Sequence, residues 1–67
     1  MAVKHYIVEQ IEKLYENAPP GISEYHLEHL DQDDVRDSAN HLYSLYPNRY
    51  QDSPVDMTGL AHITITK

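Results

Sequence analysis

The sequence predicts a small α+β domain: three helices followed by a two-stranded β unit. Three observations lead there. Residues 3–16 repeat apolar side chains at helical spacing, residues 31–46 do so again behind a run of aspartates, and the closing stretch LAHITITK alternates apolar and polar residues. The chain has 67 residues, enough for one domain, residues 1–67. A chain this short buries only ~60% of the surface its unfolded form exposes, which leaves little room for a deep catalytic pocket.

The first helix rests on Val3, Ile7, Ile11 and Leu14, which share one face, with Tyr6, Val8 and Tyr15 flanking it. Glu9, Glu12, Lys13 and Glu16 fall outside that stripe, and NAPPG ends the helix because Pro19 and Pro20 cannot continue it. A short extended segment is expected at Ile22. Ser23 then reads as the N-cap of a second helix over about Glu24 to Leu30, with Tyr25, Leu27 and Leu30 as its apolar positions. Asp31 reads as the N-cap of the third helix, whose inward stripe is Val35, Ala39, Leu42, Leu45 and Tyr46 and which Pro47 terminates. YPNRYQDSPVDMTG is turn-rich, with one short strand around Arg49 to Asp52 and Gly59 closing the loop. In the last strand Ala61, Ile63 and Ile65 face one way and His62, Thr64 and Thr66 the other. An exposed ITITK edge would also be able to pair across a dimer.

Composition narrows the function. Five Lys and Arg face eleven Asp and Glu, giving a formal charge of -6. Affinity for DNA comes largely from Lys and Arg displacing counterions, so this balance argues against a general polyanion binder. The basic residues, Lys4, Lys13, Arg36, Arg49 and Lys67, do not cluster. There is no cysteine, hence no disulfide framework and no thiolate metal site. The first residues contain no long apolar run, so neither a signal peptide nor a membrane span is expected, and the cytoplasm is the expected location.

The order helix, extended turn, helix, helix, strand, loop, strand resembles a winged helix-turn-helix. ISEYHLEHLDQDDVRDSANHL resembles its two-helix motif, and NRYQDSPVDMTGLAHITIT resembles its two wing strands with their loop. The chain is similar in outline to small bacterial and phage winged-helix proteins of the YjcQ kind. One departure is the turn EHLDQ, which lacks the glycine often found between the two helices. The resemblance implies a sequence-specific DNA-binding regulator whose third helix enters the major groove. Its candidate contacts are Gln32, Arg36, Asn40, Tyr43 and Ser44, with Arg49 from the wing; Arg and Asn side chains match guanine and adenine edges.

Charge favours a different use of the same helix. From Ile22 to Tyr46 the acids Glu24, Glu28, Asp31, Asp33, Asp34 and Asp37 face Arg36 alone. The function expected is therefore a non-catalytic binding module that meets a protein partner through an acidic helix face, as an inhibitor or adaptor of nucleic-acid-binding machinery. Glu28, Asp33, Asp37 and Tyr43 are the face residues, and the DNA-binding regulator is the alternative. A homodimer through Val8, Tyr15, Tyr43, Tyr50 and Met57 is compatible with the pattern, but the reading preferred for each of them is that it completes the small core. No catalytic residues, cofactor or metal site are expected. His26 and His29 stand three apart, as on one helix face, but the spacing supplies no third ligand.

Overall fold

The computed structural model describes residues 3–52 and 55–67. In chain order its regular elements are α1 (His5–Asn17), β1 (Ile22–Tyr25), α2 (Gln32–Leu45) and β2 (Ile63–Thr66). The fold is α+β, but with two helices among the described residues rather than three. That corrects the three-helix, winged expectation. Residues 53 and 54 of the turn-rich stretch lie outside the described residues.

The expected second helix is the element that fails. Ile22–Tyr25 is a strand, antiparallel to β2, with Ile22 opposite Thr66 and Tyr25 opposite Ile63. Ser23 is therefore a ladder residue facing Ile65, not a helix cap. The physical reason lies in length and in the partner. A seven-residue helix bears the full cost of nucleation with few propagation steps to offset it. β2, by contrast, presents a finished row of backbone donors and acceptors. Pro19 and Pro20 direct the chain back along β2, and Gly21, at φ 106°, exchanges two backbone hydrogen bonds with Lys67 at 3.1 and 2.9 Å. A positive φ of that kind is open to glycine at no steric cost. Leu27 and Leu30 still pack toward the core, from a turn closed by Leu30 N–H donating to the Leu27 carbonyl at 3.2 Å.

The expected wing is also rearranged. The segment around Tyr50 meets β2 as a single bridge, Tyr50 opposite Ile65, supported by Thr66 N–H to the Arg49 carbonyl at 2.8 Å and Gln51 N–H to the Thr64 carbonyl at 3.2 Å. Thus β2 is flanked on both sides, by β1 and by the Tyr50 segment. The ITITK edge is occupied and is not free for pairing across a dimer. A second bridge, Val55 opposite Ala61, closes a tight loop in which Gly59 N–H donates to the Asp56 carbonyl at 3.0 Å and Gly59 has φ 82°. A turn followed by a left-handed glycine is a standard short hairpin closure.

The two long helices form as their periodicity predicts. Ile7 and Ile11 of α1 and Val35, Ala39 and Leu42 of α2 are buried with Tyr50, Ala61, Ile63 and Ile65 in one core. Leu45, 55% exposed, and Tyr46, 40% exposed, leave the stripe, because α2 ends at Leu45 before Pro47 and its last turn overhangs the core. Ser38 is buried in their place. Its hydroxyl accepts the backbone N–H of Lys4 at 3.0 Å, satisfying a donor at the start of α1 where no side chain of α1 provides a cap. At the other end of α1, the Lys67 ammonium donates to the carbonyls of Tyr15 and Glu16, each at 2.9 Å, so a cation meets the negative end of the helix.

Candidate functional site

The acidic start of α2 is built by ordinary helix chemistry. Asp31 is the N-cap, its carboxylate accepting Asp34 N–H at 3.1 Å. Asp33 and Asp34 occupy the first turn, where the helix dipole favours negative charge. Arg36 stands between two carboxylates: its Nε donates to Asp37 at 3.2 Å and an Nη lies 3.6 Å from Asp33. Asp33 remains 75% exposed. One turn further on, Asp37, Asn40, His41 and Ser44 line an open groove.

The residues expected to touch DNA are not arrayed as one reading surface. Gln32 turns inward, which corrects its outward assignment: its amide donates to the carbonyls of Leu27 and Leu30, both at 2.8 Å, and its oxygen accepts Ala61 N–H at 2.9 Å. Ser44 donates to the His41 carbonyl in its own helix at 2.8 Å. Arg49 is held over the rings of Tyr15 and Tyr46, 4.9 Å from each centroid. Tyr46 lies ten residues beyond Arg36, about 15 Å along the helix axis. Tyr43 is partly exposed on α2, and Glu28 is exposed in the turn before it. Tyr50, which a dimer surface would have needed exposed, is a core residue, only 2% exposed. Burial, together with the nearby Glu12 carboxylate, pushes its phenol up to about 12.

A second cluster was not anticipated. At the end of the sheet where β1 leaves and β2 enters, His62 is clasped between two carboxylates. Its Nε2 lies 2.5 Å from Asp56 and its Nδ1 lies 2.7 Å from Glu24. Two carboxylate partners can both be satisfied only by a doubly protonated ring, and the hydrogen bonds it donates to Asp56 and then Glu24 raise the His62 pKa above its usual value. Asp56 is itself fixed by the hairpin loop: it accepts Thr58 Oγ1 at 2.5 Å, Thr58 N–H at 2.8 Å and Leu60 N–H at 3.2 Å. Hydrogen bonds from Thr58 and His62 hold its carboxyl well below the ordinary carboxylate range. His26 completes the group, its ring edge-on to that of His62 at 4.7 Å and its Nε2 3.3 Å from His62 Nδ1.

Glu24, His26 and His62 each offer one ligand atom within 4.8 Å of the others. The sequence pairing of His26 with His29 is thus replaced: His29 is not part of this group, because residues 22–26 run extended and the helical i,i+3 relation does not exist there. The signal was available as Glu24-x-His26, a same-face pair in a strand, but it becomes visible only once the strand is known. No family model, curated protein or solved structure matches the chain. No helix among the described residues is long and apolar enough to cross a membrane.

Proposed function

We propose that the protein is a non-catalytic binding module that recognises a basic protein surface through the acidic outer side of α2, with Asp33 and Asp37 at its centre and Glu28 and Tyr43 beside them. The observation that supports this most directly is the state of Arg36. It is the one Lys or Arg between Ile22 and Tyr46, and its guanidinium is engaged by two aspartates of its own helix. A phosphate approaching that helix would meet four aspartates and an arginine already paired. A basic partner would meet the same four carboxylates with favourable sign, and association of that type is fast and salt-sensitive. A cytoplasmic site of action is part of this proposal.

Two measurements test it. Fluorescence anisotropy against mixed duplex DNA at low salt, where charge is least screened, should show no binding; saturable binding there would overturn the reading in favour of a DNA-binding regulator. Capture of proteins from a lysate should yield a basic partner released by added salt. The doubly substituted bait, Asp33→Lys with Asp37→Lys, should lose it while keeping its helical circular dichroism. Undiminished capture by that bait would remove the acidic side of α2 from consideration.

A further inference from the structure

The register of the sheet assembles a group of donors that neither helix chemistry nor the proposed docking face uses. Tyr25 pairs with Ile63, so one more step along the same ladder sets His26 opposite His62. Glu24, two residues before His26 on an extended chain, projects from the same face. The result is a triangle of ligand atoms: Glu24 Oε1 to His62 Nδ1 2.7 Å, His26 Nε2 to His62 Nδ1 3.3 Å, and His26 Nε2 to Glu24 Oε1 3.6 Å.

We infer that Glu24, His26 and His62 form a binding site for a divalent transition-metal ion of the zinc type, with Asp56 as the outer carboxylate that orients His62. The dimensions support it. A tetrahedral ion with bonds of about 2.0–2.1 Å holds its ligands about 3.3–3.4 Å apart, close to two of the edges, 3.3 and 3.6 Å; the third, 2.7 Å, is the Glu24–His62 hydrogen bond, which would lengthen as the ion replaced its proton. The circle through the three atoms has a radius of about 1.9 Å, so an ion just outside their plane reaches all three at bonding distance. Two imidazoles and one carboxylate suit zinc and its neighbours rather than magnesium or calcium, which prefer all-oxygen shells.

The surroundings carry the argument further. A metal-bound histidine ordinarily donates its other ring N–H to a carboxylate, which fixes the tautomer and the ring orientation. Here His62 Nε2 faces Asp56 at 2.5 Å, and Asp56 is immobilised by Thr58 and Leu60. With both rings neutral the group carries the two negative charges of Glu24 and Asp56, matched by a dication. All four side chains keep contact with solvent, at 27% exposure for His62 and 52% for Glu24, so a fourth ligand position is open to water. The ion would replace the proton between His62 Nδ1 and Glu24 and would clip β1 to the hairpin loop.

The test is titration of the chelator-stripped full chain with zinc chloride against a competing chromophoric chelator, with cobalt(II) absorption as a second readout. One equivalent should bind with micromolar affinity or better, and cobalt should give the intense visible bands of a low-coordinate site. His26→Ala and Glu24→Gln leave the His62–Asp56 contact in place, so both should fold as wild type; each should weaken binding at least about tenfold. Asp56→Asn should also weaken it, by about 10–100-fold. His29→Ala, outside the group, should change nothing. Failure to saturate below about 1 mM zinc, or His26→Ala binding as tightly as wild type, would overturn the site. Equal loss in His29→Ala and His26→Ala would do so as well, since it would reveal only scattered surface histidines.

Discussion

The molecule has two concentrations of charge, and they are made in opposite ways. The acids at the start of α2 are neighbours in sequence. Asp31, Asp33, Asp34, Arg36 and Asp37 lie within seven residues, and the cap, the dipole and the local ion pairs account for them without reference to the rest of the fold. The cluster at the sheet end gathers Glu24 and His26 from one stretch of chain and Asp56 and His62 from a hairpin some thirty residues on, so its two halves depend on each other for their place. A locally built charge cluster is stable by itself and is left with a surplus to offer a partner. A cluster built at long range satisfies its members mutually and so couples the elements that carry them. Gln32 stands where the two regions meet, as the first residue of α2 and as acceptor for Ala61, next to His62.

Breaking that junction should have the largest effect. Gln32→Ala removes three hydrogen bonds and takes this partner from Ala61 N–H and the Leu30 carbonyl, while the Leu27 carbonyl keeps Leu30 N–H. Buried polar groups left unpaired cost about 1–3 kcal/mol, a large share of what a domain this small has. Urea unfolding should show the midpoint falling sharply with an unchanged slope. A midpoint within error of wild type would mean that the two regions are not mechanically joined through Gln32.

How far the sequence reveals these regions follows from the same contrast. α1 and α2 are legible because 3.6-residue periodicity is a local signal, and Asp31 is legible as a cap because capping is local too. β2 is legible from strict alternation. What is not legible depends on partners distant in sequence. In ISEYHLEHL the apolar residues fit a short helix as well as a strand, and the choice is made by β2, some forty residues away, through the Gly21–Lys67 pairing. That choice then decides the site. At helical spacing His26 goes with His29; at strand spacing it goes with Glu24 and, across the ladder, His62. The burial of Ser38 is illegible for a related reason: its hydroxyl meets the Lys4 N–H, a demand set by the other helix.

The next prediction sharpens the comparison within α2. Asp31→Ala removes the N-cap and should destabilise by about 1 kcal/mol. Asp33→Ala, an exposed side chain whose ion pair with Arg36 is a surface one at 3.6 Å, should stay within about 0.5 kcal/mol of wild type. Thermal melts of the two variants side by side check it. If Asp33→Ala were the more damaging, the acids of α2 would be structural and not surplus, which would weaken the case for them as a docking face.

The smallest effect is expected where the groups are solvent-exposed and screened, at the His62–Asp56 clasp, and its value lies in its sign. Asp56 has its pKa lowered from 3.8, so its contribution is present above that value and is lost as pH falls through the lowered pKa. His62 has its pKa raised from 6.5, so its contribution is complete below 6.5 and is lost as pH rises through the raised pKa. Between those limits both ions are present in the folded state, with Glu24 on the far side of the ring and His26 edge-on to it. In chelator-containing buffer, the difference in melting temperature between wild type and His62→Gln should therefore be greatest between about pH 4 and 6.5 and shrink above it. Asp33→Ala, which removes a surface partner of Arg36 and touches no histidine, is the control variant. A His62→Gln difference that stayed constant into alkaline solution would show that the ring holds β1 to the hairpin loop by shape and neutral hydrogen bonding, leaving the imidazolium no part in joining them.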